Sequence, residues 1–324
     1  MKKVLLLYYD MPDEATALLY NGAQVIGPLR PTDPWQDALP EADGIITNVQ
    51  YRFTPDVLDR VTRARVIGRP GIGVDNIDVA AASARDILVV NTPDGPTLPV
   101  VENTIGWLIA LAHNTFPGDR VAREPGWPRR PALRGMDLAG KTIGLVGIGR
   151  IGSRVAAICA QALGMRVVSY DPYVNPQRSR ELGIEWVDSL DALLPLVDVL
   201  SLHCPLSAET RGLIGERELG LLKPGARLIN TARGPVVDEE ALAAALRTGR
   251  LAGAAVDVFA VEPLPAGHPF LALDNIILSP HSASFTNEGI HRMTMGCIEQ
   301  VLMALRDERP PHLVNPEVWP RRRP

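Results

Sequence analysis

The run Gly147-Ile148-Gly149-Arg150-Ile151-Gly152 spaces three glycines as G-x-G-x-x-G. Between a strand and a helix, such glycines supply a tight turn, a close backbone approach for a pyrophosphate, and tight helix–strand packing. The helix N-terminus adds N–H donors and a positive dipole end. Here the run follows the apolar stretch 142–146 and opens a helical pattern over 150–163. A second apolar stretch, 166–170, ends just before Asp171, 19 residues after Gly152. A carboxylate there accepts both ribose hydroxyls and repels a 2′-phosphate, and Pro172-Tyr173 provide no Arg to hold one. The spacing predicts NAD rather than NADP.

Three ionisable residues follow other strand-like stretches: Arg233 after 226–230, Glu262 after 253–258, and His281 after 275–278. Parallel strands bring their C-terminal ends to one sheet edge, where ligands bind. Taken singly, a loop Arg or Glu is ordinarily a solvated surface residue, and a lone His a satisfied structural one. Together beside a nicotinamide they match what carbonyl reduction needs. His can donate a proton near neutral pH, a neighbouring carboxylate favours imidazolium, and Arg can grip a carboxylate with two hydrogen bonds. His203 also follows a strand-like stretch, so spacing alone does not choose between it and His281.

The elements that must position these residues alternate throughout. Strands are predicted at 4–9, 44–47, 66–68 and 88–91, then at 142–146, 166–170, 199–202, 226–230, 253–258 and 275–278. Helical patterns intervene at 55–63, 78–85 (with Asp78 as N-cap), 98–112, 150–163 and 239–247. This alternation predicts an α/β class with doubly wound parallel sheets. A final helix beginning near Thr286 places Ile290, Met293, Cys297, Ile298, Val301, Leu302 and Leu305 on one face; at over 20 residues it could cross between domains. The Pro-rich, charged stretch 114–133 reads as a subunit-contact arm or a floppy loop. A weak internal echo links Leu39-Pro40-Glu41-Ala42-Asp43 with Leu194-Pro195-Leu196-Val197-Asp198. Each precedes a strand, and each is followed by a second strand opening Ala-Arg, at 64 and 226.

A chain of 324 residues predicts two domains. With 33 basic and 37 acidic residues and a formal charge of −4, nucleic acid is not an expected partner. The run Arg321-Arg322-Arg323 reads as a solvated terminus. Cys159, Cys204 and Cys297 lack C-x-x-C spacing, so reduced thiols and no metal site are expected. The apolar run after Lys3 stops at Asp10, too short for a signal peptide, and no uncharged run approaches a membrane span. A soluble cytoplasmic protein is the expectation.

These residues resemble the D-2-hydroxyacid dehydrogenase family from about residue 45 to 305. The carriers are Gly71-Ile72-Gly73-Val74-Asp75-Asn76-Ile77-Asp78, the Gly147 loop with Asp171, Asn230-Thr231-Ala232-Arg233-Gly234, Asp257-Val258-Phe259 with Glu262-Pro263, and Ser279-Pro280-His281. The resemblance implies two Rossmann-like domains. An NAD domain (98–285) is inserted into a flavodoxin-like substrate domain (1–97 and 286–324). It implies that Arg233 binds the substrate's carboxylate and carbonyl, that His281 is the acid/base, and that Glu262 orients His281 and favours its protonated form. The N–H groups of Ile72 and Gly73 match those gripping the carboxylate. Arg150 and Ile151 match residues on the pyrophosphate, and Cys204, Thr231, Ala232, Asp257 and Ser284 match positions around the ribose and nicotinamide. A homodimer joined through the coenzyme domain is implied as well.

Val100-Val101-Glu102-Asn103 and Ser282-Ala283-Ser284 depart from the family's usual residues, and Glu262 stands where formate dehydrogenases have Gln. Phosphoglycerate dehydrogenases share the 69–78 stretch, and Arg69 could meet a phosphate. Yet Ile72 replaces their usual Thr, and Asn48 stands where a second Arg is common. The expected substrate is a small 2-keto or 2-hydroxy acid of the glyoxylate or hydroxypyruvate type, with phosphoglycerate second. An NAD-sensing corepressor is a distant third. Asn48, Arg69, Ile72, Trp107 and Ser284 are expected around the substrate's side chain.

Overall fold

The computed structural model describes residues 1–8, 10–124, 126–174, 177, 179 and 182–323. The chain divides into two compact units, Met1–Leu98 with Phe285–Pro324, and Pro99–Ser284.

In the first unit, β1 (Lys3–Leu7), β2 (Gln24–Ile26), β3 (Gly44–Thr47), β4 (Val66–Arg69) and β5 (Leu88–Asn91) form a parallel sheet in the order β2-β1-β3-β4-β5. That is the flavodoxin-like order. The strands are apolar on consecutive residues because both faces are buried. Val4, Leu6, Ile46, Val66 and Val90 pack on one side with the final helix, and Leu5, Leu7, Ile45, Ile67 and Val89 fill the other. The final helix, Asn287–Leu305, starts where the Thr286 side chain accepts the Gly289 N–H at 2.9 Å. It has 19 residues, lies wholly within the first unit, and buries Met293, Cys297, Ile298, Val301, Leu302 and Leu305. It therefore belongs to one core rather than crossing between two.

In the second unit, seven parallel strands run in the order β12-β11-β10-β9-β6-β7-β8. They are β6 (Thr142–Val146), β7 (Arg166–Tyr170), β8 (Glu185–Trp186), β9 (Val199–Leu202), β10 (Ala226–Asn230), β11 (Leu251–Val256) and β12 (Ile276–Leu278). Strand order reverses between β6 and β9, which makes the end of β6 the switch point where open α/β sheets bind ligands. Leu200, Leu228 and Ala254 face one core, and Val199, Ile229 and Ala255 the other.

Several expectations change in detail. Strands β2 and β8 carry too few residues to show a pattern, and Tyr9, the end of the first predicted strand, lies outside the described residues. β11 ends two residues earlier than expected, which leaves Asp257 just past its end. The helix predicted over 55–63 is only Pro55–Asp59. The stretch 114–133 is a helix, Thr115–Arg123, and a 3₁₀ turn, Trp127–Leu133, with no buried residue in either. Arg120 ties that helix to the Asp274 carboxylate at 2.8 Å. Of the C-terminal arginines, Arg322 and Arg323 are docked, while Arg321 is paired but still exposed. Arg321 pairs with Asp86, Arg322 pairs with Asp307 and lies over the Trp319 ring, and Arg323 donates to the carbonyls of Val61 and Arg85. No described helix is long and apolar enough to cross a membrane.

The echo marks equivalent places in the two sheets. Asp43 and Asp198 each precede a strand beside the unit's first one, and each accepts an N–H from that first strand, Lys3 and Thr142, at 2.8 Å. Each also pairs with a basic residue ahead of the next strand, Arg63 at 2.9 Å and Lys223 at 3.2 Å.

Candidate active site

The glycine loop leaves β6 with Gly147 at φ +92°, and a Cβ there would lie 2.9 Å from the His203 carbonyl carbon. At Gly152 a Cβ would meet the Gly147 oxygen at 2.2 Å, so only glycine lets the helix Arg150–Gln161 start this close to the strand. A Cβ at Gly149 would meet nothing within 4 Å. That opening, over the helix N-terminus, is where a pyrophosphate fits. Asp171, at the end of β7, accepts N–H bonds from Ile148 and Tyr173, both at 3.0 Å. Its oxygens keep lone pairs for ribose hydroxyls. The cradle thus suits a dinucleotide. Arg150 opens the helix, Ile151 packs partly on the core, and Cys204 is half-buried past β9. Thr231 faces Thr104 at 3.3 Å, and Ser284 is half-buried at the end of the unit. The three thiols are free, and burial pushes Cys204 up to about 11 and Cys159 to about 12.

At the same edge, Asn230 shapes the turn that carries Arg233. Its Oδ1 accepts the Ala232 N–H at 3.0 Å, and its Nδ2 donates to the Arg233 carbonyl at 3.0 Å. Gly234 then passes so near Phe259 that a Cβ would sit 2.0 Å from the Phe259 carbonyl carbon. This contact sets Arg233 beside the loop that bears Glu262. Burial would push the Glu262 carboxyl up. The hydrogen bond and charge of His281, the Phe259 N–H and the Arg233 charge together hold it below the usual glutamate value.

His281 Nδ1 lies 2.8 Å from Glu262 Oε2, with the two side chains 29% and 31% exposed. Nδ1–H therefore donates to the carboxylate and Nε2 is left for a reacting oxygen. His281 holds φ +53°, a left-handed conformation that costs a non-glycine residue energy. Asp257 over-determines it. The Asp257 carbonyl accepts the His281 N–H at 2.8 Å. Its carboxylate takes the Ser279 hydroxyl at 2.5 Å, the Ser282 N–H at 2.7 Å and the Ala283 N–H at 3.0 Å. Asp257 is 2% exposed. His203 differs: it faces the Ser201 hydroxyl at 2.9 Å, and burial pushes its ring down to about 4, so it is neutral at physiological pH. Of the two histidines, His281 has the carboxylate an acid needs. Asn230 and Ser279 were visible only as motif letters; their function rests on buried hydrogen bonds that no spacing rule reports.

The first unit carries the turn at Ile72-Gly73. Asn91 Nδ2 donates to the Ile72 carbonyl at 2.7 Å, and Thr92 Oγ1 accepts the Gly71 N–H at 2.6 Å. Asn76 ties the neighbouring loop by donating to the carbonyls of Asn48, at 2.9 Å, and Tyr51, at 2.8 Å. Among the described residues, no hydrogen bond engages the N–H of Ile72 or Gly73. Arg69 is 9% exposed, and its Nη1 donates to the Pro70 carbonyl at 2.5 Å, directly under Gly71. This bond ties Arg69 to its own loop. Trp107 is 7% exposed and packs in the core of the second unit.

A family model described as "D-isomer specific 2-hydroxyacid dehydrogenase, NAD binding domain" matches residues 105–283, more than half of the chain. A glyoxylate reductase of Aeropyrum pernix is 42% identical over 290 residues, covering 88% of this chain and 86% of that protein. A D-3-phosphoglycerate dehydrogenase of Methanocaldococcus jannaschii is 38% identical over 279 residues, covering 86% of this chain and 53% of that protein. The chain thus spans about half the length of the phosphoglycerate dehydrogenases it matches. A D-lactate dehydrogenase of Aquifex aeolicus, solved with NAD and lactic acid, superposes with a TM-score of 0.86 at 28% identity, covering 97% of this chain and 99% of that one.

Proposed function

The chain belongs to the D-isomer-specific 2-hydroxyacid dehydrogenase family, and from that premise we propose that it interconverts a small 2-keto acid and its D-2-hydroxy acid with NAD. The observation that carries this reading is the 2.8 Å His281–Glu262 pair in the same unit as the NAD-type glycine loop. Bound NAD supplies hydride exchange with C2 of the substrate. The side chains do the rest. Arg233 offers its planar fork to the substrate's carboxylate. His281 Nε2 delivers the proton to the carbonyl oxygen in reduction and removes it in oxidation. Glu262 orients the ring and stabilises imidazolium.

The glyoxylate or hydroxypyruvate class is favoured over a phosphorylated acid. Ile72 stands where the phosphoglycerate enzymes usually carry Thr, and Asn48 where they commonly carry a second Arg, so the stretch lacks part of their phosphate-binding pattern. Exposed Phe116 and Trp127 on the helical stretch after Asn114 support a homodimer through the second unit. Three free cysteines, with no disulfide among the described residues, suit a reducing cytoplasm. The test is loss of NADH absorbance against a panel of 2-keto acids that includes phosphohydroxypyruvate, with NADPH in parallel. Rapid turnover of one small unphosphorylated acid with NADH is expected. Preference for phosphohydroxypyruvate would replace the substrate class. Tight NADH binding with no turnover would favour a binding role of the corepressor kind.

A further inference from the structure

We propose that Glu239 and His268 form a positioning pair that pins the loop bearing Glu262; the proposal rests on the reading of Glu262 as the partner of His281. Between β11 and the 3₁₀ turn Pro269–Ala272, residues 257–268 adopt no helix or strand, and Val261 and Glu262 stand exposed. An irregular exposed segment has many conformations to choose from, and holding one of them is entropically costly. Yet Glu262 must keep its carboxylate on a single ring nitrogen.

The loop is fastened on either side of Glu262 to one carboxylate. Glu239 opens the helix Glu239–Arg247, whose start is fixed by Asp238 accepting the Ala241 N–H at 3.0 Å. Glu239 Oε1 accepts the N–H of Ala260, two residues before Glu262, at 2.8 Å. Its Oε2 faces Nε2 of His268, six residues after Glu262, at 3.3 Å. His268 Nδ1 accepts the Phe270 N–H at 3.3 Å, so the proton is on Nε2 and donates to Glu239. The His268 ring packs edge-on to Phe270, which is fully buried. The two side chains of the pair are only 12% and 15% exposed. A rigid helix start and the core are thereby linked through Glu239 and His268 to both flanks of an exposed functional loop. Neither residue touches the reacting atoms; both act through Glu262.

The experiment compares wild type, Glu239→Ala, Glu239→Gln, His268→Gln and the double variant Glu239→Ala with Glu262→Gln. Amide hydrogen exchange is read at Ala260 and Phe270, and kcat/KM for keto-acid reduction is read against pH. Glu239→Ala should accelerate exchange at Ala260 and lower kcat/KM about tenfold, the loss typical of a hydrogen bond to a charged group. It should move the alkaline limb in the same direction as Glu262→Gln while NADH affinity stays within about twofold. Glu239→Gln keeps an acceptor for Ala260 and should recover most of the loss. In the double variant, Glu239→Ala should add little to Glu262→Gln. Unchanged exchange, an unmoved limb, or full additivity with Glu262→Gln would overturn the proposal. Should Glu239→Ala fail to fold, His268→Gln removes one tie alone and faces the same criteria. Exchange is measured without substrate, so a chain that reduces no keto acid would sink the functional reading while exchange still decides whether this pair pins the loop.

Discussion

Replacing Glu262 with Gln removes a charge while keeping size and one acceptor. The partners are 2.8 Å apart and roughly 30% exposed. Unit charges about 4 Å apart attract by about 1 kcal/mol in water and about 4 kcal/mol at an effective dielectric near 20. Solvent access to both groups argues for the lower part of that range, about 1–2 kcal/mol. The sign follows from which form is charged. The carboxylate stabilises imidazolium, so without it the ring gives up its proton at lower pH. Reduction uses imidazolium as the acid, and the alkaline limb of its kcat/KM profile should move to lower pH. Oxidation uses the neutral ring as the base, and its rising limb should move in the same direction. The assay is kcat/KM against pH in both directions, with the preferred acid and its hydroxy partner. Limbs that stay in place, or that move in opposite directions, would remove Glu262 from this role.

Replacing His281 with Asn should cost about 10²–10⁴ in kcat, with NADH affinity retained; near-normal turnover would refute its assignment. His203→Asn should leave the pH profile of kcat/KM unmoved, because His203 is already neutral across the working range. Gly149→Ala should weaken NADH binding, measured by fluorescence titration, without lowering the melting temperature of the cofactor-free protein, since its Cβ meets no protein atom. Gly152→Ala should lower both, because its Cβ lies 2.2 Å from the Gly147 oxygen. Asp257→Asn sets an amide N–H₂ against a loop donor in a buried site and should cost about 1–3 kcal/mol in urea unfolding, together with a loss of kcat.

Much of the framework was legible because both sheets are buried on both faces, which makes strands such as 4–7 and 88–90 continuous apolar runs. Helix starts were legible where a short polar side chain caps them, as Asp78 does by accepting the Ala81 N–H at 2.8 Å. What escaped had little local signal. β2 and β8 are edge strands of three and two residues. The end of β11 was misplaced because Val258 and Phe259 resume the apolar pattern beyond Asp257 in sequence, while the backbone at Asp257 has already left the strand to form the His281 clamp. The arginine tail was misjudged because charge alone reads as solvation. The carbonyls that receive Arg323 belong to Val61 and Arg85, 262 and 238 residues away in the chain.

The echo shows why a polar residue can reveal more than an apolar one. Apolar strand positions tolerate exchange among Val, Ile and Leu, so two similarly built sheets need share no particular letters. Asp43 and Asp198 are less replaceable. Each must accept an N–H at the mouth of the unit's first strand and meet a cation before the next. For Asp43, burial opposes ionisation, but the Lys3 N–H and the Arg63 guanidinium outweigh it and hold the carboxyl below its usual value. An uncharged residue of the same size would give up that pairing and leave a strand-end N–H less well satisfied. The repeated aspartate therefore reports a repeated structural demand, the joining of the first strand to its neighbour, and it does so across units whose sheets differ on the opposite side of that first strand. The same reasoning reaches the candidate site. Asn230 and Asp257 belong to the same class of buried polar residue, each satisfying several backbone groups at the end of a strand. Their positions coincide with the turns that present Arg233 and His281, since a strand end must stop pairing there and its freed backbone groups need side-chain partners.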